Sequence, residues 1–561
     1  MIQIMIIKNF FIALRQIAIG NKKYYMWISF LSFLVLLGIS AYAGQINRGL
    51  IATAMRDQVS WGLYISNFTF LVGVAAAAVL LVIPAYIYNF KPIKEIVLFG
   101  ELLAVTAIVM CILFIMVDMG QPLRVWHILP VIGAMNFPSS LLAWDVVALN
   151  GYLIINTAIV FYVLYRLSIG KEYKMSVIGP LIILSIPWAV SIHTVTAFLY
   201  NGLSSRPFWN ASILAPRFLA SAFCSGPAIM IVLFQIIRKL SDVEIENKAI
   251  FKIAELIAYA IGLNLFLLGA EVFKEFYSGS IHSEPVKYLY FGLHGHNNLV
   301  PWIWFATAMN ITAFFMFLFP RTRENFVTLN MACVFVITGV YIEKGMGLII
   351  PGFVPDTLGE IYEYIPTMQE ILVTIGIWAS GAMLYTFLLK FAVPVYTGKL
   401  RFGLRAKGIV ARDIMTRHLI TVSPETEADE ISKLLISRRI SAVPVVDADN
   451  KVIGVVSESD IIFQEIRHEP EVAERLGKLV LPEAQKGKKL GDTASDIMTS
   501  PAITALEDTS MKELIRSIAD RKIKRIIIVD GKGHPVGIVS RVDILRTLDN
   551  IKLDSLKEGK D

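Results

Sequence analysis

Polar residues are rare along the first two thirds of the chain and arrive in short clusters. Between them lie ten apolar stretches, at about 26–46, 61–88, 96–117, 143–166, 178–200, 213–237, 251–273, 300–319, 327–343 and 368–393. A run of roughly 20 apolar residues spans a bilayer as a helix. The pattern therefore predicts an all-α polytopic bundle of about ten transmembrane helices, the ninth the shortest. After Lys399 the pattern changes. Val/Ile-rich segments of strand length alternate with amphipathic helical ones, as in an α/β module. The implied organisation is an N-terminal segment 1–25, a membrane domain 26–393, a linker 394–407 and a soluble remainder.

Composition agrees: 55% of the 561 residues are hydrophobic and 17% charged, which is too apolar for a soluble enzyme. "AYA" at 41–43 mimics a signal-peptidase site. The apolar run before it is long for a signal segment, so a retained helix is expected. Numbering the helices alternately puts twenty Lys and Arg of residues 1–407 on the N-terminal side and eight on the other. By the positive-inside bias both termini and the soluble tail are cytoplasmic.

That orientation gives the ionisable groups a depth. In "DMGQPLRVWHILP" (118–130), Asp118, Arg124 and His127 fall at the outer face. Asn67 opens the second helix there, and Trp144 and Asp145 open the fourth. His193 lies in the outer half of the fifth and Glu271 at the outer end of the seventh. Glu101 and Glu255 lie near the inner boundary. Each alone reads as an interfacial or interhelical polar contact. Together at one depth they point to a shared polar site, because ionisable groups inside a bilayer are costly.

Two chemistries fit such a site. One is an ion pump using the carboxylates; the other is quinol oxidation, which needs partners for two ring oxygens and a base for each departing proton. His and a desolvated Asp exchange protons near neutral pH. Trp61, Tyr64, Trp126, Trp144 and Trp188 offer flat apolar walls. Cys111, Cys224 and Cys333 are widely spaced, which argues against an iron–sulfur cluster, and His193 alone among the histidines lies within a helix, which argues against a bis-His haem. "LHGHNN" at 293–298 reads as an outer loop, and no metal site is expected.

"DQVSWGLYISNFTFLVGVAAAA", "VDMGQPLRVWHI", "MNFPSSLLAWDVVALNGYL" and "SIHTVTAFLYNGLSSRPFWNASILAPRFLASAFCSG" resemble the NrfD/PsrC family of polysulfide-reductase-type membrane subunits, in the ten-helix branch of Hmc-, Dsr- and hydrogenase-2-like complexes, over about 50–390. The resemblance implies a quinone-interacting subunit without a redox cofactor of its own, in a prokaryotic inner membrane. It further implies an iron–sulfur electron-transfer partner on the outer face, with further redox subunits. By position, Asp118, Arg124, His127, Asp145 and His193 resemble the family's polar residues; from their chemistry, Asp118, Asp145 and His193 are the expected proton-handling residues. Asn67, Arg124, His127, Trp144 and Glu271 are the expected quinone contacts.

The tail repeats itself at an offset of 83. "ARDIMTRHLITVSPETEADEISKLL" matches "ASDIMTSPAITALEDTSMKELIRSI", and "AVPVVDADNKVIGVVSESDII" matches "RIIIVDGKGHPVGIVSRVDIL". It resembles a tandem pair of CBS domains, 408–465 and 492–549, joined by 466–491 and followed by 550–561. The resemblance implies an adenine-nucleotide sensor (AMP, ADP or ATP) and dimerisation, with no nucleic-acid partner. Asp460 and Asp543 then hold the ribose hydroxyls, while Ser457, Ser540, Arg541, Lys524 and Arg525 meet phosphate. The plainer reading is that each Ser and Asp caps the next helix. A CBS-gated transporter or channel is the rival class, although no filter-like Gly-rich segment or broken-helix repeat is evident.

Overall fold

The structure is a computed structural model that describes residues 15–128, 133–279, 283–356, 358–400, 409–417, 419–438, 440–468, 491–521 and 523–548. His282, residues 401–407 of the 394–407 linker, most of the 466–491 connection, and the 550–561 tail lie outside the described residues. The chain divides into two compact units, Met1–Arg401 and Phe402–Asp561.

Among the described residues the first unit contains ten helices long and apolar enough to cross a membrane: α1 (Lys22–Arg48), α2 (from Leu63), α3 (Val97–Asp118), α4 (Leu141–Ser168), α5 (Met175–Asn201), α6 (Leu214–Leu240), α7 (Asn247–Ser278), α8 (Val300–Leu318), α9 (Phe326–Lys344) and α10 (Met368–Tyr396). The protein is thus a multi-pass membrane protein. Burial ranks the helices: 67%, 72% and 67% for α2, α3 and α6, against 11% for α1, which lies at the rim. One expected span is interrupted, and another is extended past a break. Helix α2 gives way near Pro84 to a π-turn (Ile83–Ile87), because proline cannot donate to the helical ladder. Helix α9 ends at Gly345 and resumes as Met346–Ile349 and Pro351–Phe353, which lengthens the short ninth stretch to Phe326–Phe353.

Glycines set the closest helix approaches. A Cβ on Gly376 of α10 would lie 2.7 Å from Gly38 Cα of α1. The start of α10 is fixed by a capping box. The Thr367 hydroxyl accepts from Glu370 N, and the Glu370 carboxylate accepts from Thr367 N (2.9 Å). The same carboxylate also takes Ala54 N (2.8 Å) and the Tyr364 hydroxyl.

The second unit shows the 83-residue repeat as geometry. Strands β1 (Ala442–Val446) and β2 (Val452–Ser457) pair antiparallel, Ala442 opposite Ser457. Strand β3 (Thr504–Leu506) runs parallel to β4 (Arg525–Val529), which pairs antiparallel with β5 (Pro535–Ser540), Arg525 opposite Ser540. The first half's counterpart of β3–β4 is a single parallel bridge, Val422–Val445. Each hairpin turn is pinned by an aspartate. Asp447 Oδ1 accepts from Asp449 N and Lys451 N, and Asp530 Oδ1 from Lys532 N and His534 N. These bonds, led by that from His534 N, pull the Asp530 pKa down to about 2.

The two halves are interlocked through their leading segments. Each leading segment crosses over and completes the other's core. Thr416 bridges Ile538 and Thr499 bridges Val455, a reciprocal exchange at the same offset. Ala494 and Ile497 are buried with Val443, Val456 and Ile431, and Ala411 with Ile526, Val539 and Leu514. The crossing helps Met498 pack where a Cβ on Gly454 would stand, and Met415 where one on Gly537 would stand.

The α1–α10 contact is open to test. Gly376→Ala should lower the thermal unfolding midpoint of the detergent-solubilised chain, by the equivalent of about 1–3 kcal/mol for overpacking. An unchanged midpoint would show that the helices can separate at no cost.

Candidate functional site

Alternation of ten helices brings the polar residues singled out in the sequence to one end of the bundle, the end where α3 finishes and α4 begins. The rise of 1.5 Å per residue puts Asp145 about 6 Å, and His193 about 12 Å, inward from their helix ends. Asp145 is fully buried and His193 is 2% exposed. The Thr196 hydroxyl of α5 donates to Asp145 Oδ1 of α4 (2.7 Å). Asp118 Oδ1, Asp145 Oδ2 and His193 Nδ1 are buried with no hydrogen-bond partner among the described residues.

Asn67 is fully buried, and its Oδ1 accepts from Trp378 Nε1 (2.8 Å) and the Tyr341 hydroxyl (3.1 Å). Glu271 is held by an ion pair: Arg217 of α6 binds it and also Glu343 of α9 (2.9 Å). Glu343 accepts further from Asn310 (2.9 Å) and Asn264 (3.5 Å). Gly339, one turn before Glu343, makes room, since a Cβ there would collide with Asn310 Oδ1. Glu271 therefore serves a four-helix polar network, which its place at a helix end does not reveal.

Lys344, next along the chain, is buried, 4.2 Å from the centre of the Phe218 ring, and its Nζ has no hydrogen-bond partner among the described residues. Lys344 and His193 line one small cavity with Thr69, Ser221 and Ser225. Its volume is ≈ 10 Å³, room for about one water molecule. Thr69 also meets the Tyr200 hydroxyl (2.5 Å), and Tyr200 lies within electrostatic reach of both Asp145 and Asp118. A track of two hydroxyls, Tyr200 and Thr69, thus leads to the His193–Lys344 cavity.

The aromatic walls differ from those expected. Trp61, Tyr200, Trp209 and Phe353 pack together with ring centres 4.9–5.8 Å apart. Trp209 is fully buried, donates to Leu348 O and fits against Gly352. Tyr64 is buried and donates to Gln45 (2.7 Å). Trp188 donates to Ala148 O on α4. Three expected contacts stand apart from the buried cluster. Arg124 and His127 are exposed on the 3-10 segment Pro122–Ile128 beyond the end of α3, His127 stacked on Trp126. Trp144 is 41% exposed, because its indole turns away to Phe137 and donates to Pro138 O (2.8 Å).

Arg217, Glu343, Lys344 and Glu370 are not among the site residues expected from the sequence. Their signal is visible there as "EKG" at 343–345, two opposite charges closing a short apolar stretch, and as an arginine four residues into α6.

In the second unit, Asp460 Oδ2 accepts from Ser457 N (2.9 Å) and Oγ (2.7 Å), and Asp543 Oδ2 from Ser540 N (2.8 Å) and Oγ (2.6 Å). This is the capping geometry of the plainer reading, and it presents both carboxylates at matching places. Arg541 Nε donates to Ile523 O (3.0 Å), and Lys524 is exposed. Burial lowers the pKa of Arg525, opposed by Glu458 and Asp460 of the other half. Arg525 therefore sits within reach of the first half's aspartate.

A family model described as Polysulphide reductase, NrfD matches residues 52–355, and a CBS domain model matches 411–465 and 494–550. A selenate reductase subunit of Mesobacillus selenatarsenatis is 23% identical over 67% of this chain and 95% of its own length. The Hdr-like menaquinol oxidoreductase integral membrane subunit of Archaeoglobus fulgidus is 21% identical over 66% of this chain and 93% of its own. For the tail, the CBS domain of a CBS domain-containing membrane protein from Sphaerobacter thermophilus is 32% identical, with a TM-score of 0.20, and covers 25% of this chain and 90% of that one.

The Arg217 network makes a sharp stability test. Arg217→Ala leaves two buried carboxylates without their cation and should cost about 3–5 kcal/mol. Glu271→Gln keeps the Glu343 bond and should cost less. The comparison is read from thermal unfolding in detergent, and equal midpoints for the two variants would contradict it.

Proposed function

The chain belongs to the polysulphide reductase NrfD family, and from that premise we propose that its membrane unit exchanges electrons between membrane quinone or quinol and a partner subunit. It is a membrane subunit of reductase type, with a CBS pair at its C-terminal end. One observation carries the quinone reading. Four residues, Asp118, Asp145, His193 and Lys344, each with a buried polar atom that has no hydrogen-bond partner among the described residues, gather at one end of the bundle, where the Trp61–Trp209 aromatic nest also lies. The relative described as a menaquinol oxidoreductase subunit supports it.

Quinol oxidation releases two protons and two electrons. The cavity beside His193 has room for about one water molecule, so the ring is assigned to the mouth near Asp118 and Tyr64. His193 Nδ1 and Asp145 Oδ2 are the atoms that accept and hold protons along the track. Lys344 lines the same cavity as His193 and adds a third group there that can exchange a proton. The electrons pass to an iron–sulfur subunit docked on that same end, which the basic-residue bias makes the outer face of a prokaryotic inner membrane, with both termini cytoplasmic. The CBS pair lies in the cytoplasm and binds an adenine nucleotide, with Asp460 and Asp543 accepting from the ribose hydroxyls and Ser457, Ser540 and Arg541 toward phosphate. Nucleotide then shifts turnover by binding two conformations unequally.

His193→Ala and Asp145→Asn should each reduce quinol-linked electron transfer about 10²-fold, the scale of a lost acid or base. Assembly should persist. Wild-type turnover in both assembled variants would sink the assignment.

The regulatory part is tested separately. The full-length chain in nanodiscs is titrated calorimetrically with AMP, ADP and ATP, and at least one should bind. Asp543→Ala or Asp460→Ala should weaken that binding. Coupling of about 1–3 kcal/mol would change affinity some 5–150-fold between states. Absence of heat with all three nucleotides removes the sensor role, and heat without any change in turnover removes the regulation alone.

A further inference from the structure

The opposite end of the membrane unit holds a larger cavity, ≈ 460 Å³, where α2 ends, α3 begins, α4 ends and α10 ends. That is within the range of small-molecule sites. The outer polar cluster has no part in it. Its lining divides by chemistry. Leu98, Val163 and Leu167 give an apolar wall. Lys91 and Lys94 give two ammonium groups, opposed by one carboxylate, Glu95, which leaves a net single positive charge. Tyr86, Tyr173 and Tyr396 add three hydroxyls to the lining.

The walls are fixed in place. Lys94 Nζ donates to Asn89 Oδ1 (3.1 Å), which uses one of its three N–H groups and leaves two for another acceptor. Arg166 grips Glu172 O with two N–H groups (3.0 and 2.8 Å), which holds the turn that carries Tyr173. The Tyr396 ring packs edge-on against Phe99 of α3 (5.5 Å).

An occupant must match an apolar wall, a cationic rim and several hydroxyl donors at the level where the helices leave the bilayer. A free anion would leave the apolar wall wet, and a neutral lipid would leave the lysines uncompensated. Basic pockets between helices at the cytoplasmic surface suit acidic lipid head groups. We propose that this cavity binds the phosphate head group of an acidic phospholipid, with Lys91, Lys94 and the tyrosine hydroxyls on the phosphate and the first acyl carbons along Leu98, Val163 and Leu167. The assignment rests on reading the basic end as the cytoplasmic one.

The test uses the full-length chain, delipidated in mild detergent and examined by native mass spectrometry with three probes: phosphatidylglycerol, phosphatidylcholine and inorganic phosphate. One phosphatidylglycerol should bind at least tenfold more tightly than phosphatidylcholine. Lys91→Gln with Lys94→Gln should remove that preference. Leu167→Trp, which fills the cavity without changing charge, should block binding, and unfolding midpoints without lipid show whether each variant is folded. Equal affinity for the two lipids, or undiminished phosphatidylglycerol binding in both folded variants, overturns the proposal. Competition by inorganic phosphate as effective as that by phosphatidylglycerol would reassign the site to a soluble anion and overturn it as well.

Discussion

A charge inside a bilayer-spanning bundle must meet its counter-charge, and in this protein Arg217 sets the terms. Its guanidinium takes carboxylates from α7 and α9 at once, and Glu343 then draws in an amide from α7 and another from α8. Removing water from these ions is expensive, and only mutual contact with full hydrogen bonding offsets it. The network therefore dictates where four helices stand relative to each other. Lys344 follows from the same arrangement. It adjoins Glu343 in the chain and faces the opposite way, over the Phe218 ring and toward His193.

The membrane fold is legible in the sequence because a bilayer demands long apolar runs, and ten of them stand out even without a partner sequence. The interruptions are less legible. Pro84 and Gly345 break helices whose hydropathy continues unbroken, since composition does not record which backbone bonds are made. The site is legible by depth and not by direction. Asp145, His193 and Asn67 point inward, while Trp144, one residue before Asp145, turns outward, because neighbours on a helix are about 100° apart. Arg124 and His127 share the right depth but lie exposed on a turn beyond α3. Glu271 stands out in the sequence, but its pairing with Arg217 does not, because the two lie 54 residues apart and only the fold brings them together.

In the second unit the repeat is plain in the letters, and strand register follows it residue for residue. What the letters hide is whose core each segment enters. "DIM" occurs twice in equivalent contexts, so a self-contained pair and an exchanged pair share one pattern. Only the reciprocal bridges distinguish them.

The exchange also orders events in time. A chain made from its N-terminus has Ala411 and Met415 ready long before the second core needs them. The first core has the reverse problem, for its missing piece, Ala494–Ile497, emerges forty residues after Ser457. At about 5–20 residues per second that is a wait of roughly 2–8 s. During it Val443, Val456 and Ile431 lack a cover that the finished protein supplies. The early half is thus the one exposed to proteases and misassembly on the ribosome, and the late half matures as soon as it appears.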